Sequence, residues 1–303
     1  MDYMARALQL ASRALGNCSP NPAVGAVLVR DGEVVGEGAT QPAGQAHAEI
    51  MALRQAGSRA YGSTLFVTLE PCAHFGRTPP CADAIVAAGV ARVNVAMRDP
   101  SPWVNGNGID ILERSGIPVR SGSHEREARM LNEAYLTWLT LGRPLVTGLY
   151  AIGLDGRPWP LDDAPLGEAG RAELDRLRSS TARTVADIGS VLAEDPDLRA
   201  IAAAGVTGLH VEAAPTALEH LAVRGLLDRL IVWIVPGVRG QAERGPLEDA
   251  VQHAAGHPAV AMLSNVTYER LGDVLLVSGY PPGSASPLGQ EPPSAGGQHA
   301  VTP

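Results

Sequence analysis

Two short segments constrain this chain more than anything else in it: His47-Ala48-Glu49, and Pro71-Cys72 running through to Pro80-Cys81. Each stands at the predicted start of a helix that follows a strand or loop. A lone His-Ala-Glu occurs by chance in many helices, and two cysteines nine residues apart can be ordinary small buried hydrophobes. In this order and behind strands, they read as one metal site. An imidazole and two thiolates make a three-ligand zinc set that leaves the fourth tetrahedral position for water. Zinc so held is near electroneutral, yet a water at that position still ionises close to neutral pH. Helix N-termini add partial positive charge beside the thiolates. Glu49, two residues from His47, needs no ligand role and is placed to carry a proton.

Composition narrows the setting. With 303 residues and 45% hydrophobic side chains, the chain can build one large core or two ordinary ones. No apolar run approaches the ~20 residues of a membrane span. The start, MDYMARALQLASRALG, has helical spacing rather than the form of a signal peptide. A cytoplasmic protein without a membrane partner is expected. The net charge of −8 gives no footprint for nucleic acid. All 24 cationic side chains are arginine, which excludes lysine Schiff-base and P-loop chemistry. Three cysteines, an odd count without a secretion signal, speak for metal or catalysis rather than disulfides.

Hydrophobic periodicity predicts a helix over 3–15 and a hairpin of strands Ala23–Arg30 and Glu33–Gly38 turning at Asp31-Gly32. Helices over 47–56, 80–88 and 107–115 alternate with strands over 63–69, 91–97 and 117–120. A hairpin followed by βαβ units implies an α/β fold, a mixed sheet with helices on both faces. Residues 124–141 read as one bridging helix. Beyond Gly142-Arg143-Pro144, a strand over Leu145–Ala151, a helix near 168–178 and core segments Thr184–Leu192 and Arg229–Val238 follow. From about residue 281 the Pro-, Gly- and Ser-rich tail is too polar to offset its ordering entropy and is expected to be disordered.

Further candidates surround the metal set. Asn21, in Ser19-Pro20-Asn21-Pro22, suits either a pyrimidine edge or a turn cap. His74 and Arg77 lie between the cysteines, hence at the rim of the pocket, where arginine suits a phosphate or is a solvated loop charge. Cys18 reads as a structural thiol, and the six remaining histidines show no ligand-like grouping.

His-x-Glu followed by Pro-Cys and a second Cys, with the glutamate off the metal, is the arrangement of the zinc deaminases. More narrowly, Asn21–Val27, His47-Ala48-Glu49, Val67–Cys72 through Thr78-Pro79-Pro80-Cys81, and Asp99-Pro100-Ser101-Pro102 with Gly106 and Gly108 resemble the riboflavin-pathway bifunctional deaminase/reductase family. The long, filled gap between the cysteines separates it from cytidine and tRNA-adenosine deaminases. The resemblance implies a cytidine-deaminase-like three-layer α/β/α domain over 1–122 and a connecting helix over 123–143. It further implies a smaller, dihydrofolate-reductase-like α/β domain over 144–280, truncated here, before the tail at 281–303. It places Zn2+ on His47, Cys72 and Cys81, proton transfer on Glu49, and substrate contacts on Asn21, His74, Arg77 and Asp99. It also implies a homodimer and, as substrate, a phosphoribosylated diamino-hydroxypyrimidine.

Two departures stand out. Thr40 occupies a position where the family usually has histidine, which leaves room for a related heterocycle of a secondary-metabolite pathway. In the second half, Leu149 and Gly153 stand for a lysine and a serine, Ala213-Ala214 for a glycine pair, and the segment between Leu198 and Val211 is short. Added methyls hinder close approach of backbone to phosphates, so no nicotinamide site and no working reductase are expected. A scaffold without catalysis is disfavoured by the complete metal set and Glu49.

Overall fold

Glycines at alternate positions of one strand set the geometry of the first half. A Cβ on Gly36 or Gly38 would lie 2.2 Å from the carbonyl oxygens of Ala52 and Ala48. The helix carrying His47 and Glu49 can therefore press directly on that strand, with its small residues Ala48, Ala52 and Ala56 buried against it.

The structure, a computed structural model, describes residues 1–73, 80–101, 104–180, 183–185, 198–237 and 263–288. The chain divides into two compact units, Met1–Gly142 with Ala204–Thr207, and Arg143–Ala203 with Gly208–Pro303.

In the first unit the hairpin β1 (Gly25–Arg30) and β2 (Glu33–Ala39) turns at Asp31-Gly32, both with positive φ. That is the backbone twist a two-residue hairpin favours. Strand β3 (Thr64–Leu69) runs antiparallel to β1, while β4 (Arg92–Met97) and β5 (Val119–Ser121) continue in parallel, giving the order β2-β1-β3-β4-β5. Helices α2 (Ala48–Ala56), α3 (Cys81–Ala87) and α4 (Asn107–Arg114) pack in sequence on one another; α1 (Tyr3–Ser12) and α5 (Glu125–Leu131) pack together against β1, β3 and β4. The mixed α/β/α layering read from the sequence is present, its core built on Leu28, Leu65, Ile85, Met97 and Leu112.

Residues 125–141 are two helices rather than one, α5 and α6 (Glu133–Leu141), broken at Asn132. The buried Asn132 side chain accepts from the Ala23 N–H at 2.8 Å and donates to the Ala23 carbonyl at 3.0 Å. This tie holds α6 in the first unit, which runs to Gly142.

The second unit contains a seven-stranded sheet, β11-β12-β10-β6-β9-β8 with β7 on β6. Strands β6 (Leu145–Gly153), β8 (Arg183–Val185), β9 (Gly208–Glu212) and β10 (Arg229–Val235) are parallel. Strand β7 is Pro158–Trp159, and β11 (Ser264–Leu271) with β12 (Val274–Tyr280) forms an antiparallel edge hairpin. Helices α7 (Gly167–Ser180), α8 (Leu198–Ala203) and α9 (Pro215–Val223) complete the unit. Residues 186–192 of the expected Thr184–Leu192 segment and Val238 lie outside the described residues.

The tail expectation needs correction at its start. Residues 281–288 pack rather than wander: Ser284 Oγ donates to the Asp228 carbonyl at 2.8 Å, Asn265 Nδ2 to the Leu288 carbonyl at 2.9 Å, and Ser286 and Leu288 are buried. Their serines satisfy backbone groups, and Leu288 supplies apolar area that composition averaged over the tail conceals. Residues 289–303 lie outside the described residues.

One row of this sheet makes a pH prediction. His210, Thr147 and Arg229 lie in register across β9, β6 and β10. His210 is buried, and desolvation, then the charges of Arg229 and Arg176, pull its pKa from 6.5 down to about 4. Above pH 6.5 both folded and unfolded chains carry it neutral. As pH falls from 6.5 to about 4 the unfolded chain takes up a proton that the folded one refuses, so stability is lost across that window. The loss approaches about 3 kcal/mol. Urea midpoints at pH 7 and pH 5 are expected to diverge, and His210→Asn to shrink the difference; an unchanged difference would remove His210 as its source.

Candidate active site

His47 caps α2 in extended conformation, and Glu49 follows in its first turn, only 3% exposed. Cys72 lies just past the end of β3, and Cys81 opens α3, its backbone N–H donating to Cys72 Sγ at 3.2 Å. His47 Nδ1 stands 3.6 Å from Cys72 Sγ and 3.3 Å from Cys81 Sγ. Zinc–sulfur and zinc–nitrogen bonds of about 2.3 and about 2.0 Å at a tetrahedral angle put the two ligand atoms roughly 3.6 Å apart. All three ligand atoms lie within 4.8 Å of one another, and the donor set fits Zn2+.

The electrostatics agree. Hydrogen bonds from Cys81 and His47 hold the Cys72 thiol down, to about 4, despite its burial. Cys81 is pushed up, first by its hydrogen bond to Cys72 and then by burial, while the bond to Cys72 raises His47. A dication among the three ligand atoms would let both thiols ionise. Glu49 is raised to about 7 by desolvation and then by the charge of Cys72. A carboxyl that exchanges its proton near neutrality suits general acid–base work.

His47, Glu49 and Cys72 line a cavity of about 310 Å3, the size of a small-ligand pocket. Asn21, Asp99 and Thr40 line it too. The Thr40 hydroxyl is engaged with backbone, accepting from the Val24 N–H at 3.0 Å and donating to the Val24 carbonyl at 3.4 Å. His74 and Arg77 lie outside the described residues.

Three contributors had been given no role. Glu70 is buried, and its carboxylate accepts from the N–H groups of Asp99, Gly106, Gly108 and Ile109 at 3.0–3.3 Å. It thereby binds the start of α4 and the Asp99 loop to the strand end that leads into Cys72. A Cβ on Gly108 would sit 1.9 Å from the Pro71 carbonyl oxygen, so only glycine allows that approach. The sequence signal was a glutamate beside Pro-Cys at the end of an apolar strand. Tyr135 and Trp138, from α6, also line the cavity. Their signal was two aromatic residues three apart in a chain with 4% aromatics.

The zinc-binding region of cytidine and deoxycytidylate deaminases, as a family, matches residues 1–97, which contain the whole cluster. The riboflavin biosynthesis protein RibD of Aquifex aeolicus is 45% identical over 200 residues, 65% of this chain and 56% of that protein. Its Escherichia coli counterpart is 46% identical over 199 residues, 65% and 54% of the two chains. The chain thus spans just over half the length of these curated relatives. Among solved structures, Acinetobacter baumannii RibD (form 1) is similar at 29% identity and TM-score 0.73, over 92% of this chain and 98% of that one. A Thermotoga maritima diaminohydroxyphosphoribosylaminopyrimidine deaminase/5-amino-6-(5-phosphoribosylamino)uracil reductase gives 25% and 0.72, over 92% and 97%. The likeness reaches into the second unit. With a cytidine-deaminase-like first unit and a second α/β unit, the chain is similar over most of its length to the riboflavin-biosynthesis bifunctional deaminase/reductases.

Proposed function

We propose that this chain hydrolyses the amino group from an amino-pyrimidine, its substrate being the phosphoribosylated diamino-hydroxypyrimidine of the riboflavin pathway. One observation carries this most: a buried glutamate of raised pKa stands beside a His-Cys-Cys cluster in a cavity of small-ligand size. His47, Cys72 and Cys81 would hold Zn2+, which supplies Lewis acidity that brings water ionisation toward neutral pH. Glu49 takes the proton that water gives up as the carbon–oxygen bond forms, and returns it to the departing nitrogen. The carbon–nitrogen bond breaks, ammonia leaves and a ring carbonyl remains. In this proposal Asn21 and Asp99, on the cavity wall, contact the ring, and His74 and Arg77 are assigned to the phosphate.

The second unit is, in this proposal, a remnant without a nicotinamide site. Leu149, where the family carries lysine, is wholly buried among Leu174 and Trp233. Ala214 caps α9 where glycine would admit a phosphate. The apolar Leu227–Val235 stretch is largely covered within the unit's own sheet. A cytoplasmic homodimer completes the proposal. Among the described residues no helix is long and apolar enough to cross a membrane.

The zinc-loaded protein is expected to turn over the phosphorylated intermediate far better than its dephosphorylated form. Arg77→Ala should raise KM for the first much more than for the second. Adding NADPH should leave the deaminated product unreduced, and any reduction would restore the reductase. Thr40 favours a second reading, a related heterocycle: failure to turn over the riboflavin intermediate, or equal effects of Arg77→Ala on both forms, would favour it.

A further inference from the structure

The segment Ala204–Thr207 joins α8 to β9 yet packs as part of the first unit. Its partner there is the loop ahead of β1. Ser19 Oγ donates to the Gly205 carbonyl at 3.4 Å and stands 3.3 Å from Thr207 Oγ1. With the Ser19 proton given to Gly205, the Thr207 hydroxyl is the donor of the second bond. Thr207 is only 9% exposed, and a Cβ on Gly205 would already touch the Pro20 ring, 3.9 Å from Cγ. Gly205 has a φ of +84°, the left-handed conformation that turns the chain straight after α8.

The loop held in this way is a wall of the cavity, lined by Pro20, Asn21 and Pro22. The Asn21 N–H donates to the Cys18 carbonyl at 2.9 Å, so the direction of its side chain follows the loop backbone. That backbone is anchored on either side. Buried Cys18 packs with Ala14 and Ala23, and Asn132 grips Ala23. Between these anchors, Ser19 and Pro20 lie against Gly205 and Thr207. Polar groups that meet a ligand bind it best when they are held in place before it arrives.

We propose that Thr207, through Ser19, is a positioning residue for Asn21, so that a side chain 188 positions beyond Ser19 sets how the cavity wall meets the substrate. This rests on the deaminase reading above and on Asn21 contacting the ring. His47, Glu49 and Cys81 stand on other elements, α2 and α3. Loosening the brace therefore weakens substrate binding and spares the chemical step.

The test uses the zinc-loaded full chain. Thr207→Val keeps the shape of the side chain and removes its hydroxyl, Thr207→Ser keeps the hydroxyl, and Ser19→Ala removes the other partner. Thr207→Val and Ser19→Ala should each raise KM for the riboflavin intermediate about fivefold, with kcat within about twofold and zinc content unchanged. Thr207→Ser should stay within about twofold of wild type. The Ser19→Ala, Thr207→Val pair should be no worse than either alone, and Thr207→Val should add nothing to Asn21→Ala. An unchanged KM in Thr207→Val, no recovery in Thr207→Ser, or additivity in either pair overturns the proposal. A second readout needs no turnover: amide hydrogen exchange resolved by residue. The Asn21 N–H should exchange at least about tenfold faster in Thr207→Val than in wild type or Thr207→Ser, with α2 unchanged. An equal Asn21 rate in all three, or α2 quickened to the same degree, overturns the proposal even where the riboflavin intermediate is turned over. A faster rate at Asn21 in Thr207→Val alone upholds the brace even where that intermediate is no substrate.

Discussion

Glu49→Gln should leave a folded, zinc-bearing protein whose turnover has fallen by at least about 100-fold. The two side chains share size and shape, and the position is only 3% exposed, so the packing of α2 against β2 is kept. An amide cannot take up the proton of the attacking water or hand one to the leaving nitrogen. General acid–base groups contribute about 10²–10⁴ in rate, or roughly 3–5 kcal/mol of barrier. Removing a carboxylate from a buried position also removes a desolvation cost, so the melting temperature should hold or rise. Elemental analysis, calorimetric melting and kcat for the same preparation check the three parts together. Turnover within tenfold of wild type would transfer the proton to another group.

Zinc itself provides the second large effect. Wild type should carry about one zinc per chain, and a Cys72→Ser, Cys81→Ser double variant should carry none. Serine keeps the size of cysteine, but its hydroxyl stays protonated near neutrality and offers a far weaker ligand. His47 alone cannot hold the ion. Among the described residues no other group of three potential ligands converges. Full retention of zinc in the double variant would move the metal elsewhere and take the deaminase proposal with it.

The sequence made the first unit legible because its signals are local. Short apolar runs mark β1 and β3, the Asp31-Gly32 pair marks the hairpin, and the cluster residues sit in short motifs whose spacing reflects their chemistry. What escaped depends on partners far along the chain. Glu70 accepts hydrogen bonds from residues 29 to 39 positions away, and Asn132 grips Ala23 across 109. Nothing in a window of ordinary length records such a pairing. The edge strand β11 escaped for a different reason. Its SNVTYERL is largely exposed and carries Glu269 and Arg270, so it lacks the apolar alternation that betrays a covered strand. The packed residues 281–288 were hidden by averaging over a longer polar tail.

The break at Asn132 changes where the gene for this activity can be cut. Residues 1–97 contain His47, Cys72 and Cys81, and a fragment ending at 122 would add α4 and β5. Either would lose Asn132, Tyr135 and Trp138, opening one side of the cavity to water and freeing Ala23 beside Asn21. On the proposed function, metal binding and substrate handling would therefore have different minimal lengths in this chain, the second reaching through α6.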